Sequence, residues 1–196
     1  MTQKIAVLCS GGGSNLQALI DRIQTGHLDA QIEWVVSNNG DSHALERARK
    51  AGIEAIHLSA KTEGTSEAAD RKLLSLIRDR GISVLVLAGY MKMLPPGVLE
   101  LLPGRVINIH PALLPAFGGK GMFGLRVHEA VLARGVHWTG VTIHLVSEHY
   151  DEGPILRQRV VAVQPGDTPQ SLGSRVLAVE HDTLWREVRD LLERIR

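Results

Sequence analysis

The sequence predicts a doubly wound α/β fold: a mostly parallel sheet, with antiparallel strands near the C-terminus and a terminal helix. Three observations lead there. Short apolar, β-prone runs alternate with segments of helical period, the pattern that makes parallel sheets. Several of those runs are nearly continuously apolar, as in residues 83–88 (SVLVLA), which suits strands covered on both faces. A hydrophobic content of 44% is too high for a disordered chain, and 20 glycines exceed what a helical bundle needs.

Residues 4–9 (KIAVLC) form the first predicted strand, which stops at Ser10, Gly11, Gly12 and Gly13. Leu16, Leu19, Ile20 and Ile23 then recur at helical spacing. A strand at 32–37, a helix over 42–51, a strand at 54–58 and a helix over 66–80 repeat the unit. Strands at 83–88 and 105–109 (RVINI) complete the parallel core. Two prolines and four glycines keep residues 111–125 from any regular element, and a loop of that length reads as part of a site's wall. A helix over 126–134, a strand at 140–146, a turn at 151–154 and a strand at 155–163 follow, the last two strands pairing antiparallel. Thr168 as N-cap and Pro169 in the first turn open the terminal amphipathic helix, which carries Val176, Leu177, Leu184, Val188, Leu191 and Ile195. With no internal repeat or linker, residues 1–196 read as a single domain.

Lys plus Arg number 22 and Asp plus Glu 21, a net charge of +1 that speaks against nucleic acid or a membrane surface as partner. Cys9 is the only cysteine, which excludes an intrachain disulfide and a four-thiolate metal site. Residues 1–4 lack a signal-peptide pattern, and no apolar run approaches the ~18 residues of a membrane span. The expectation is a soluble, unprocessed, cytoplasmic protein.

The run Ser10-Gly11-Gly12-Gly13-Ser14-Asn15 lies between strand and helix, where backbone N–H groups and the helix dipole favour an anion. Leu16 stands where a dinucleotide fingerprint needs a third small residue, and the second strand ends in Ser37, Asn38 and Asn39 rather than a ribose-binding acid. No Lys-Ser or Lys-Thr follows at P-loop spacing. The turn suits a monophosphate ester, with an ordinary tight turn as the alternative.

Asn108 and His110 lie two apart at the end of an apolar strand, so they share one face, toward the crevice where open α/β sheets bind ligands. Asp151 sits in the turn sequence YDEGP. Singly, each has a plain structural explanation in loop or turn hydrogen bonding. Together, an amide donor, an imidazole and a carboxylate supply the parts for acyl transfer to an amine. Asn108 and a protonated His110 can donate to an oxyanion, while Asp151 favours the imidazolium and helps move the amine's proton. His128-Glu129 is followed by Leu132 where a zinc-protease helix has its second His, and no other histidine spacing makes a metal cluster, so no metal is expected. His144, in mid-strand, reads as a hydrogen-bonded structural residue or as support behind the site.

Four stretches, SGGGSNLQALI, LAGYMKML, INIHPALLPAFGG and YDEGPI, occur in this order across nearly the whole chain and resemble the phosphoribosylglycinamide formyltransferases. That family transfers formyl from 10-formyltetrahydrofolate to the amine of glycinamide ribonucleotide by direct attack, a step of purine synthesis. The resemblance therefore implies small-molecule partners: the ribonucleotide as substrate and the formyl-folate as donor cosubstrate. It also implies Asn108, His110 and Asp151 as the catalytic set, Gly12, Gly13, Ser14 and Asn15 on the substrate phosphate, and Glu180 on the ribose. Folate binding falls to Tyr90, Met91, Lys92, Met93 and Leu94, with Asn108 and the loop around 147–151. Without the resemblance, Met91, Met93 and Leu94 read as a core edge. Residues 118–124 depart from some family members, and Lys120 there reads either as a contact to an acidic ligand group or as a solvated loop lysine. Methionyl-tRNA formyltransferase and formyltetrahydrofolate deformylase share the formyl-folate core, but carry further domains after or before it; the length of this chain argues against both. A catalytically silent phosphometabolite-binding protein is the alternative from another class. Monomer and homodimer are both compatible with the sequence.

Overall fold

The computed structural model describes residues 2–196. Among these residues, β1 (Gln3–Cys9), β2 (Ala30–Ser37), β3 (Glu54–His57), β4 (Val84–Leu87), β5 (Val106–His110), β6 (Trp138–Leu145) and β7 (Ile155–Ala162) form a seven-stranded sheet in the order β3-β2-β1-β4-β5-β6-β7. The first five strands run parallel, β6 is antiparallel to β5, and β7 is antiparallel to β6. The doubly wound sheet with antiparallel C-terminal strands is thus as expected.

The alternation of β1 explains why both faces are covered. Ile5, Val7 and Cys9 join one buried cluster, with Leu16 and Leu19 of α1 (Ser14–Gln24) and with Val176, Leu184 and Val188 of α7 (Pro169–Arg194). Ala6 and Leu8 point the other way, into a second cluster with Leu73, Leu76 and Ile77 of α4 (Ser66–Asp79) and Val98 of α5 (Pro96–Leu101). Each face buries one stripe of each covering helix. Deep burial pushes the Cys9 thiol up to about 12, which makes it an inert part of this core.

α7 starts as the sequence dictates: Thr168 Oγ1 accepts from the Ser171 N–H, Ser171 Oγ accepts from the Thr168 N–H, and Pro169 takes the first turn. The remaining helices are α2 (His43–Lys50), α3 (Ala60–Glu63) and α6 (Leu125–Arg134). The apolar pattern of the sequence does not predict two of the helices, α3 and α5. Both are too short to show an apolar period; α3 is set by a Ser59/Thr62 capping box, and α5 by Pro96 in its first turn after Pro95. Among the described residues no helix is long and apolar enough to cross a membrane, and no group of three or more His, Cys, Asp or Glu is arranged to hold a metal ion.

Candidate active site

The phosphate-type turn is built by β1, α1 and α2 together. Gly13 takes φ 69° as the N-cap of α1, and no side chain caps that helix, so its first N–H groups have no side-chain acceptor. The turn's carbonyls are held on the opposite side: Gly11 O accepts from Ser42 Oγ at 2.7 Å and Ala44 N at 3.2 Å, and Gly12 O accepts from Arg47 Nε at 2.8 Å. Glycine at 13 is obligatory twice over, because a Cβ there would also lie 2.7 Å from Ala44 Cα. The Asn15 side chain turns inward and donates from Nδ2 to Glu180 Oε2 at 2.7 Å. Glu180, on α7, is 7% exposed, and burial pushes its carboxyl up to about 7 against the pull of that amide.

Asn108 and His110 do share a face of β5, and the antiparallel register sets His144 of β6 opposite Asn108. His144 Nδ1 lies 2.8 Å from Leu145 O, and its Nε2 is shared between Asn108 Nδ2 at 3.1 Å and Asp151 Oδ1 at 3.5 Å. The amide's other N–H has only a 3.4 Å contact to Asp151 Oδ1. His110 Nε2 donates to Phe117 O at 2.8 Å, and its Nδ1 stands 3.6 Å from Asp151 Oδ2. Burial lowers the His110 pKa more than the Asp151 charge and the Phe117 carbonyl raise it, so the ring is neutral at neutral pH.

Asp151 reaches this group from the β6–β7 turn in a left-handed conformation, φ 59°, which Asp tolerates better than most residues. Gly153 lets the turn come this close, since a Cβ there would collide with the Leu145 carbonyl. Burial alone would raise the Asp151 carboxyl, but His144, His110 and the Gly119 N–H, which donates to Oδ2 at 2.8 Å, together hold it below the ordinary carboxylate range. A neutral imidazole therefore faces an ionised carboxylate.

Turn and triad open into one cavity of about 820 Å³, a normal size for a small-molecule site. All the residues nominated from the sequence line it: Gly12, Gly13, Ser14 and Asn15; Tyr90 through Leu94; Asn108, His110, Asp151 and Glu180. Met91 and Met93 are 52% and 46% exposed, so they are cavity rim rather than core edge, while Leu94 is buried in the α4/α5 cluster. The segment follows β4, turns at Gly89 (φ 73°), and is tied to the phosphate-type turn by Ser10 Oγ, which accepts from Met91 N at 2.9 Å and donates to Asn38 Oδ1 at 2.6 Å. The sequence does not reveal the tie that Ser10 makes to Met91 and Asn38, the full contact set of His144, or His128, which lines the cavity from α6. The register of β6 was the signal for His144. Lys120 also lines the cavity, in a loop whose Gly119 and Gly121 both have positive φ.

Comparison with known proteins agrees with this geometry. Residues 3–188 match the formyl transferase family. A chloroplastic phosphoribosylglycinamide formyltransferase of Arabidopsis thaliana is 42% identical over 91% of this chain, and the chain spans 62% of that relative's length. The Escherichia coli phosphoribosylglycinamide formyltransferase is 40% identical over 90% of this chain and 81% of its own. The crystal structure of glycinamide ribonucleotide transformylase 1 from Geobacillus kaustophilus superposes with a TM-score of 0.90 at 35% identity, covering 98% of this chain and all of that one (100%). With its anion-ready turn, its Asn-His-Asp cluster and these relatives, the chain belongs to the formyl transferase family, alongside the phosphoribosylglycinamide formyltransferases.

Proposed function

We propose that this chain transfers the formyl group of 10-formyltetrahydrofolate to the amine of glycinamide ribonucleotide, giving formylglycinamide ribonucleotide and tetrahydrofolate in purine synthesis. The observation that carries the reading is the continuity of one cavity from the uncapped start of α1 to Asn108, His110 and Asp151. The ribonucleotide phosphate takes the free N–H groups of Gly12 to Asn15, and Glu180 accepts from the ribose. The folate lies along Tyr90 to Leu94, whose exposed Met91 and Met93 offer an apolar rim to its rings.

The amine nitrogen attacks the formyl carbon, forming a C–N bond as the carbonyl electrons move to oxygen. The second N–H of Asn108 donates to this oxyanion. The proton shed by the amine is taken up at His110 Nδ1, whose acidic neighbour is Asp151 Oδ2 at 3.6 Å, and the carboxylate stabilises the imidazolium that forms. The intermediate then collapses, the bond to N10 of the folate breaks, and His110 returns the proton to N10. The reaction needs no covalent enzyme intermediate. Phosphate binding at the far end holds the amine at the formyl carbon and gives it the advantage of proximity over water.

The test supplies 10-formyltetrahydrofolate with and without glycinamide ribonucleotide and measures tetrahydrofolate, formate and formylated ribonucleotide. Equal amounts of tetrahydrofolate and formylated product, with almost no formate in either arm, are expected. Formate release that is fast without the acceptor and unchanged by adding it would make the protein a hydrolase.

A further inference from the structure

Two independent features single out His128, a residue to which the proposed reaction assigns nothing. Its ring lines the cavity from α6 and is 5% exposed. Nδ1 is sealed from solvent and has no hydrogen-bond partner. A sealed N–H without an acceptor is costlier than a bare nitrogen lone pair, so the ring proton sits on Nε2. Burial, and then the neighbouring His110, keep the ring neutral. His128 is therefore an N–H donor on the cavity wall with nothing in the protein to donate to.

The second feature is Gly173, on the facing turn of α7. Glycine weakens a helix interior, and here the ring explains it: a Cβ at 173 would stand 3.0 Å from His128 Cδ2 and 3.2 Å from Nε2. The helix has given up a side chain where the donating edge of the imidazole lies.

We infer that His128 is a substrate-binding residue that donates from Nε2 to the carbonyl oxygen of the glycinamide arm, aligning the acceptor amine beside His110. The inference rests on glycinamide ribonucleotide being the substrate. Gly173 and Glu180 lie seven residues apart on α7, two turns along one face, and both line the cavity. His110 and His128 line the same cavity, and a ligand arm running from a ribose at Glu180 to an amine at His110 carries one carbonyl oxygen between them.

The experiment is calorimetric titration of glycinamide ribonucleotide and, separately, of ribose 5-phosphate, which has the phosphate and sugar but no glycinamide. Each is titrated into wild type, His128→Phe and His128→Gln, with melting temperatures as the control for folding. The Phe variant is expected to bind the ribonucleotide roughly tenfold more weakly and ribose 5-phosphate as wild type does, while the Gln variant, which keeps an N–H donor, recovers part of the loss. In steady-state assays KM for the ribonucleotide rises and KM for the folate does not. Equal weakening of both ligands, or unchanged ribonucleotide affinity in the Phe variant, overturns the role. Wild type that binds ribose 5-phosphate but gains nothing from the glycinamide arm overturns the ribonucleotide reading itself, and this role with it.

Discussion

Alternation along one strand makes Asn108 and His110 readable from the sequence alone, because two polar residues at spacing two in an apolar run must share a face. His144 is less readable for the same kind of reason. Its face is fixed by its pairing opposite Asn108, and register across an antiparallel pair is a tertiary quantity. Glu180 carries a consequence that can be measured without substrate. Burial outweighs the Asn15 amide and pushes the Glu180 carboxyl up to about 7, well above the ordinary carboxylate range. Between about pH 4.5 and 7 the folded state thus holds a proton that the unfolded state has released, and stability falls as pH rises through that window. The loss amounts to roughly 3 kcal/mol. Glu180→Gln removes it, so the variant's stability relative to wild type is expected to rise between pH 5 and pH 8 in chemical denaturation. A difference that stays flat with pH would contradict the burial argument.

The strand-turn-helix unit is legible as an element because its glycines fall between a β-prone run and a helical period. What α2 contributes is not, since the hydrogen bonds from Ser42, Ala44 and Arg47 come from residues some thirty positions away. The exposed methionines after β4 mislead for a related reason: apolar residues read as core until Gly89 is seen to swing the chain over the cavity. These contacts also decide how the turn can be tested. Substituting Gly13 would drive a side chain into Ala44 and confound binding with folding, whereas a Cβ at Gly12 meets nothing within 4 Å. Gly12→Asp therefore adds a negative charge to the turn with the fold intact. It is expected to weaken ribonucleotide binding roughly tenfold or more through charge repulsion, with melting temperature and folate-analogue affinity unchanged. Equal weakening of both ligands would remove the phosphate from this turn.

At the scale of the molecule, the order β3-β2-β1-β4-β5 reverses between β1 and β4, and the segments that follow those two strands hold the phosphate-type turn and the methionine rim. Alternating strands and helices make this architecture legible, since parallel neighbours joined by right-handed crossovers leave few other topologies. The closure of the cavity by α6, α7 and the β6–β7 turn is not, because it depends on how the last third of the chain folds back over the first. In the proposed reaction the two ends of this cavity act on one substrate, the phosphate end holding the amine for chemistry at the other. The most direct measurement compares formyl transfer to glycinamide ribonucleotide and to its dephosphorylated nucleoside. The expected result is that kcat/KM falls by at least roughly 10³-fold for the nucleoside, and that added inorganic phosphate restores part of it. Equal efficiency with both acceptors would contradict it.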